Sequence, residues 1–301
     1  MPLKRLIVIV GPTASGKTAL AISLAKMLDT EIISADSRQI FRELEIGTAK
    51  PGAEELGAVP HHFINTHSIT EEYDAAQFGR EALEVIHERF TVKNDLILCG
   101  GSGLYIKAVC EGFDDIPEIA PEIRSGLNEQ YEANGLGWLQ DQLVDLDPEQ
   151  YGRMDHQNPH WLIRALEVKI GTGKSISEYQ TRQKLEHPFT IIKFGLEVEK
   201  EELYKRIDAR MDDMIARGLF EEARQMEPHK DHQALQTVGY REIFDYFEGA
   251  YDYQEAVRLL KRNSRRYAKR QLTWFKRDPE IRWINPLNTD VDMLLEMINT
   301  G

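Results

Sequence analysis

Cysteine is nearly absent from this chain: its 301 residues include two, Cys99 and Cys110. No disulfide framework and no cysteine-rich zinc module can be built from that pair. Cys99 closes the apolar run Leu96-Ile97-Leu98-Cys99, which suits a small buried hydrophobe. Long hydrophobic runs are lacking as well. No stretch approaches the roughly 18 apolar residues that a membrane-spanning helix needs, so no membrane partner is expected. The chain also lacks repeats of roughly 20–50 residues and low-complexity tracts, which excludes solenoids and repeat arrays.

Acidic residues are missing from the most basic stretch of the chain. Residues 258–277 hold nine Lys or Arg and no Asp or Glu. The chain as a whole carries 37 basic and 50 acidic residues, a net charge of −13, which argues against a general polyanion binder. Outside the stretch 258–277 the balance is 28 basic against 50 acidic, or −22. An acidic body with one basic stripe predicts a localised contact with a polyanion. On a helical wheel Arg258, Lys261, Arg262, Arg265, Arg266, Lys269 and Arg270 share one side, with Val257, Leu260, Tyr267 and Ala268 on the other. Such a helix packs by its apolar face and turns phosphate-binding charge outward.

Hydrophobic patterning gives the organisation. Residues 3–10 read as a first strand, with a continuous apolar run from Leu6 to Val10, as in a strand buried on both faces of a parallel sheet. The N-terminus begins like a secretory signal but runs straight into a glycine-rich turn without a small-residue cleavage site, so a cytoplasmic protein is expected. A helix follows with Leu20, Leu24, Ala25 and Leu28 on one side. Residues 31–35, 61–64 and 95–99 supply further strands. Strands alternating with helices mean an α/β domain with a parallel sheet. After about residue 113 the strand signals fade, and residues 114–187 read as a helical insertion. Strand-like sequence returns at 190–198, long helices run to residue 277, and 281–284 is a last strand. The expected division is therefore a core of residues 1–113 and 188–301 and an insertion domain of residues 114–187.

Gly11, Pro12, Thr13, Ala14, Ser15, Gly16, Lys17 and Thr18 fit G-x-x-x-x-G-K-[ST] between a buried strand and a helix. In that context the pattern is a phosphate loop, and the core is expected to be P-loop NTPase-like, with helices on both faces of the sheet. Backbone amides of residues 13–18 and the positive end of the helix form an anion cradle. Lys17 supplies a point charge, and the Thr18 hydroxyl is a ligand for Mg²⁺. A pyrophosphate-containing ligand with Mg²⁺ is expected. An ATPase places an acid after a second apolar strand; residues 96–99 run instead into Gly100-Gly101-Ser102. Asp36, after the strand 31–35, is the acid placed for chemistry near the loop. It can take a proton from a nucleophile, or cap a helix together with Ser37. A transferase is favoured over a motor or switch.

Taken together, several segments resemble the tRNA dimethylallyltransferases (tRNA isopentenyltransferases). They are Gly11–Thr18, Asp36-Ser37-Arg38-Gln39-Ile40-Phe41-Arg42, Ile46-Gly47-Thr48-Ala49-Lys50-Pro51, His61-His62 and Gly100–Tyr105. Arg164–Val168, Gly239–Glu242 and Arg265–Phe275 continue the likeness in order along nearly the whole chain. The resemblance implies transfer of a dimethylallyl group from dimethylallyl diphosphate to N6 of adenosine 37, in tRNAs reading codons that start with U. The phosphate loop then holds a leaving diphosphate, and no phosphoryl group moves. By the same resemblance Asp36 is the general base, and Lys17, Thr18 and Arg210 neutralise the departing diphosphate. Arg206, Arg210 and Arg217 lie on one face of a helix, beside an apolar strip of Leu203, Ile207 and Met214.

The anticodon stem-loop of tRNA is the implied partner, with the target base flipped into a pocket. The implied tRNA-binding residues are Asp36, Ser37, Arg38, Gln39, Ser102, Arg124, His160, Trp161, Leu162, Ile163, Arg164, Arg265, Arg266, Lys269 and Arg270. Gln39 suits a bidentate amide contact to adenine. The chain departs from the family pattern at Phe41, at Glu43-Leu44-Glu45, at Ser102 in place of threonine, and at His160-Trp161 in place of basic residues, where Trp161 offers a stacking surface. The eukaryotic members' C-terminal zinc finger has no counterpart, so a bacterial-type enzyme is expected; nothing in the sequence demands more than a monomer. Three alternatives stand beside this one. A small-molecule kinase has no need of the basic helix, an enzyme prenylating free adenine nucleotides has no need of the insertion, and a non-catalytic nucleic-acid binder has no need of Lys17, Thr18 and Asp36.

Overall fold

The computed structural model describes residues 3–114, 116–180 and 184–300. In chain order β1 (Arg5–Val10), α1 (Lys17–Met27), β2 (Ile32–Ser34), α2 (Ala53–Ala58), β3 (His61–His62), α3 (Ala75–Arg89), β4 (Asp95–Gly100) and α4 (Gly103–Cys110) alternate as the patterning predicts. Four helices follow: α5 (Pro121–Leu146), α6 (Pro148–Tyr151), α7 (Pro159–Thr172) and α8 (Ile176–Tyr179). The chain then returns through β5 (Thr190–Leu196), α9 (Lys200–Ala216), α10 (Leu219–Met226), α11 (Tyr240–Phe247), α12 (Tyr253–Phe275), β6 (Arg282–Ile284) and α13 (Val291–Thr300).

The six strands form one parallel sheet in the order β3-β2-β4-β1-β5-β6. β1 lies inside it, and its alternate residues enter two different cores. Leu6, Val8 and Val10 face one layer with Phe78, Ile86, Tyr105 and Leu260. Ile7 and Ile9 face the other with Leu24, Ala25, Ile97 and Leu294. Burial on both faces is why the strand reads as a continuous apolar run. Truncating one such residue, for example Ile7→Ala, costs about 2–5 kcal/mol. The order places the carboxyl ends of β2, β4 and β1 side by side, the edge at which open α/β sheets hold ligands.

Two compact units result: Met1–Gly112 with Glu186–Gly301, and Phe113–Leu185. Residues 186–187, expected in the insertion, therefore fall with the sheet unit, and Phe113, expected in the core, falls with the helical unit. His187 Nε2 contacts the Cys110 carbonyl at 3.1 Å, and its ring lies 4.7 Å from that of Phe189. The helical unit has its own core of Leu127, Leu139, Leu143, Leu162, Ile163 and Leu166. Within it α7 starts at Asn158, whose side chain caps the His160 amide ahead of Pro159, and stops at Gly173, where φ is 75°.

Candidate active site

The phosphate loop joins β1 to α1. Gly16 holds the helix N-cap at φ 94°, a region closed to most side chains, and so turns the first-turn amides of α1 toward the loop. The cradle is narrower than the sequence implies. The Thr13 amide donates to Gln271 Oε1 at 2.8 Å, and the Ser15 amide donates to the Pro12 carbonyl at 3.3 Å. Two amides of the loop are thus already taken up within the protein. Lys17 Nζ donates to the Pro12 carbonyl at 2.7 Å. Burial lowers the Lys17 pKa to about 8; Cys99 and Asp36 work against that shift, and Arg210 adds to it. An anion in the cradle reverses the cost of the charge.

The adjacent strand ends complete the site. Gly100 admits no side chain, because a Cβ there would collide with the Ala35 carbonyl, so the ends of β2 and β4 touch backbone to backbone. Asp36 follows β2. Its Oδ1 accepts from the amides of Arg38 at 2.9 Å and Gln39 at 3.3 Å, and Oδ2 has no hydrogen-bond partner among the described residues. Asp36 therefore caps a turn, where a helix cap was the alternative, and still presents one carboxylate oxygen.

Of the three arginines aligned on α9, the fold selects one. Arg206 pairs with Glu202 at 2.8 Å and Arg217 with Asp213 at 3.6 Å. Arg210 reaches across to Thr13 Oγ1 and to the Ala49 carbonyl, both at 3.4 Å. Burial lowers its pKa, and Asp36 opposes the shift. Lys17, Thr18, Asp36, Arg38, Gln39 and Arg210 all line one cavity of about 150 Å³.

The loop over this cavity is held by a residue that sequence reasoning missed. The Glu222 carboxylate on α10 accepts from the backbone amides of Glu45, Ile46 and Gly47 at 2.7–3.0 Å and from the Tyr240 hydroxyl at 2.5 Å. The loop in turn supplies the Thr48 and Ala49 carbonyls that hold the Gln39 amide nitrogen, each at 3.2 Å. Glu222 sits in an ordinary-looking acidic helix, so only the fold reveals its partners.

A metal ion fits here in one way. Among the described residues no group of three or more His, Cys, Asp or Glu side chains is arranged to hold one. The Thr18 hydroxyl on the cavity wall suits Mg²⁺, which keeps waters and takes its other oxygens from a phosphate ligand.

The residues expected to touch RNA divide into several groups. Ser102 Oγ accepts from the Ser37 amide at 2.9 Å and lies 3.2 Å from Ser37 Oγ, so these two join the ends of β4 and β2. Arg38 lines the cavity. Arg265 is not a free cation: it grips both Asp208 oxygens at 2.5 and 2.7 Å, and Lys261 pairs with Asp212 at 2.6 Å. Acids of α9 thus neutralise the inner flank of the basic stripe. Arg266, Lys269 and Arg270 are exposed, with no acidic partner among the described residues.

In the helical unit Arg124 and Arg164 converge on the buried Glu167, at 3.4 and 2.9 Å. Leu162 and Ile163 are 0% and 3% exposed and belong to the core, so their side chains are not available to RNA. His160 is exposed, and Trp161 is 57% exposed.

Residues 39–278 match the sequence model of the IPP transferase family. The chain belongs to the IPP transferase family. A tRNA dimethylallyltransferase of Cytophaga hutchinsonii is 51% identical over 283 residues, covering 94% of this chain and 93% of that protein. One from Christiangramia forsetii is also 51% identical, over 92% of each. The crystal structure of a Bacillus halodurans tRNA isopentenylpyrophosphate transferase superposes with a TM-score of 0.71 at 38% identity, covering 99% of this chain and 95% of that one. A eukaryotic dimethylallyltransferase acting on tRNA gives 0.81 at 25% identity, over 98% and 78%. The family match begins at Gln39, past the phosphate loop and Asp36.

Proposed function

We propose that the protein transfers the dimethylallyl group of dimethylallyl diphosphate to N6 of adenosine 37, in tRNAs reading codons that start with U, and releases diphosphate. The observation that carries this reading is one cavity lined together by Lys17 and Thr18 of the anion cradle, by Arg210 and by Asp36, whose Oδ1 is taken up by the Arg38 and Gln39 amides. The N6 lone pair attacks C1 of the allyl group, and the C1–O bond breaks with its electrons passing to the diphosphate. Asp36 Oδ2 takes the N6 proton, which offsets the poor nucleophilicity of a delocalised exocyclic amine. The first-turn amides of α1, Lys17 and Arg210 stabilise the charge growing on the diphosphate. The Thr18 hydroxyl would help hold Mg²⁺, which would supply further neutralisation of the diphosphate when bound.

The anticodon stem-loop lies along Arg266, Lys269 and Arg270, with His160, Trp161, Arg124 and Arg164 as contacts of the helical unit. The enzyme works as a cytoplasmic monomer. No described helix is long and apolar enough to cross a membrane.

The test is incubation with Mg²⁺, dimethylallyl diphosphate and unmodified tRNA whose anticodon ends in adenine, followed by digestion and mass analysis. N6-dimethylallyladenosine is the expected product. Its absence, together with ATP consumption on a small hydroxyl or amine acceptor, would replace this reading with the kinase.

A further inference from the structure

Gln271 sits on α12, among the cations that face outward, yet its own side chain is buried at 7% exposure. Both ends of its amide are used. Oε1 accepts from the Thr13 backbone amide at 2.8 Å, and Nε2 donates to the Gly101 carbonyl at 2.9 Å. Only one orientation of the amide satisfies an N–H on one side and a C=O on the other, so the partners themselves fix it. Gly101 is needed for the approach, since a Cβ there would strike Nε2. The two partners belong to the loops after β1 and β4, and Thr13 is also the residue whose hydroxyl meets Arg210 at 3.4 Å. Gln271 therefore bridges the phosphate loop, the glycine turn after β4 and the helix that carries Lys269 and Arg270.

We propose that Gln271 is a positioning residue that clamps the phosphate loop through Thr13 and so sets the affinity of the cradle for the diphosphate substrate. Without the clamp, the Thr13 amide loses its acceptor and the Gly101 carbonyl its donor inside a packed interface, and the loop shifts to satisfy them. Lys17 and Arg210 then meet the diphosphate out of register. The inference rests on the transferase reading above.

Two full-length variants test it. Gln271→Met keeps the volume and removes both hydrogen bonds. Gln271→Glu keeps the acceptor for the Thr13 amide but sets a charged carboxylate oxygen against the Gly101 carbonyl. The wild-type assay comes first: no prenylated product from it would overturn the transferase reading without bearing on the clamp. With an active wild type, Gln271→Met should raise KM for dimethylallyl diphosphate about tenfold, the size expected when hydrogen-bonding groups lose their partners. The Kd for inorganic pyrophosphate, read by calorimetry, should weaken by the same factor. KM for tRNA should stay within about twofold in Gln271→Met, since the RNA-facing cations are untouched, and Gln271→Glu should weaken pyrophosphate at least as much as Gln271→Met, because its charge opposes the anion. Wild-type KM and Kd in both variants would overturn the proposal. So would a parallel loss of kcat and both KM values with a falling Tm, the signature of a merely structural residue.

Discussion

The Glu222 carboxylate accepts the Gly47 amide at 2.9 Å across 175 positions of sequence. A Cβ on Gly47 would overlap the Tyr240 ring, whose hydroxyl donates to the same carboxylate. One acidic side chain thus fixes a loop that would otherwise leave three amides without partners. Glu222→Ala should destabilise the fold by about 3 kcal/mol, because each deserted polar group costs of order 1 kcal/mol or more. Tyr240→Phe, which removes one donor only, should cost about 1 kcal/mol. Denaturant unfolding of the two variants checks the order.

Asp36→Asn keeps an oxygen for the Arg38 and Gln39 amides and removes the base. Its kcat should fall by about 10²–10⁴, with pyrophosphate affinity within about twofold of wild type. Single-turnover product formation measures the first, calorimetry the second. An unchanged rate would remove Asp36 from the reaction.

Arg210 and Arg206 lie one helical turn apart with opposite expectations. Arg210→Ala should lower kcat/KM for the diphosphate substrate by about 10²–10³, the loss usual for one charge-stabilising donor. Arg206→Ala removes a surface pair with Glu202 and should leave the rate within about twofold. The ratio of the two losses is the readout.

RNA affinity should separate the cations of α12. Replacing Arg266, Lys269 or Arg270 by alanine should reduce the slope of log K against log salt by roughly 0.7–0.9 each. Arg265→Ala should leave the slope nearly unchanged and lower stability by about 0.5–1 kcal/mol, since its charge is already matched by Asp208. Filter binding of an anticodon stem-loop over a salt series distinguishes them.

Acid should act through Glu31, at the start of β2. Burial raises its pKa, but hydrogen bonds from Arg89 and from His62, the latter at 2.7 Å, outweigh that and hold it below its ordinary 4.5. The unfolded chain therefore binds the Glu31 proton first as pH falls. The stabilisation is complete above pH 4.5 and drains away as pH drops through the lowered folded value. Glu31→Gln should flatten the acid limb of the Tm–pH curve and leave little difference between variant and wild type at the lowest pH.

The sheet was legible because its signals are local. Strand β1 reads as continuous apolar sequence since both its faces are buried, and the phosphate loop is a contiguous motif whose glycine positions follow from backbone geometry. Asp36 was legible for the same reason, as an acid ending a strand. The edge strand β3 was read too long: residues 61–64 give only His61–His62, whose ladder to β2 holds two pairs, Ile32 with His61 and Ile33 with His62.

What the tertiary structure decided is which charges are already matched. Three arginines of α9 look equivalent on a helical wheel, and only the fold leaves Arg210 facing the cavity while Arg206 and Arg217 meet acids of their own helix. The basic stripe carries no acid in its own sequence, yet Asp208 and Asp212 come to it from α9. Leu162 and Ile163 belong to a motif in sequence and to a core in space. Gln271 and Glu222 gain their roles from partners 170 and 176 positions away, in the Gln271–Gly101 and Glu222–Ile46 contacts. Hydrophobic periodicity and turn chemistry are properties of neighbouring residues, so the sequence alone determined them. Charge pairing and hydrogen-bond satisfaction depend on which distant segments meet, so they were decided only when the chain folded.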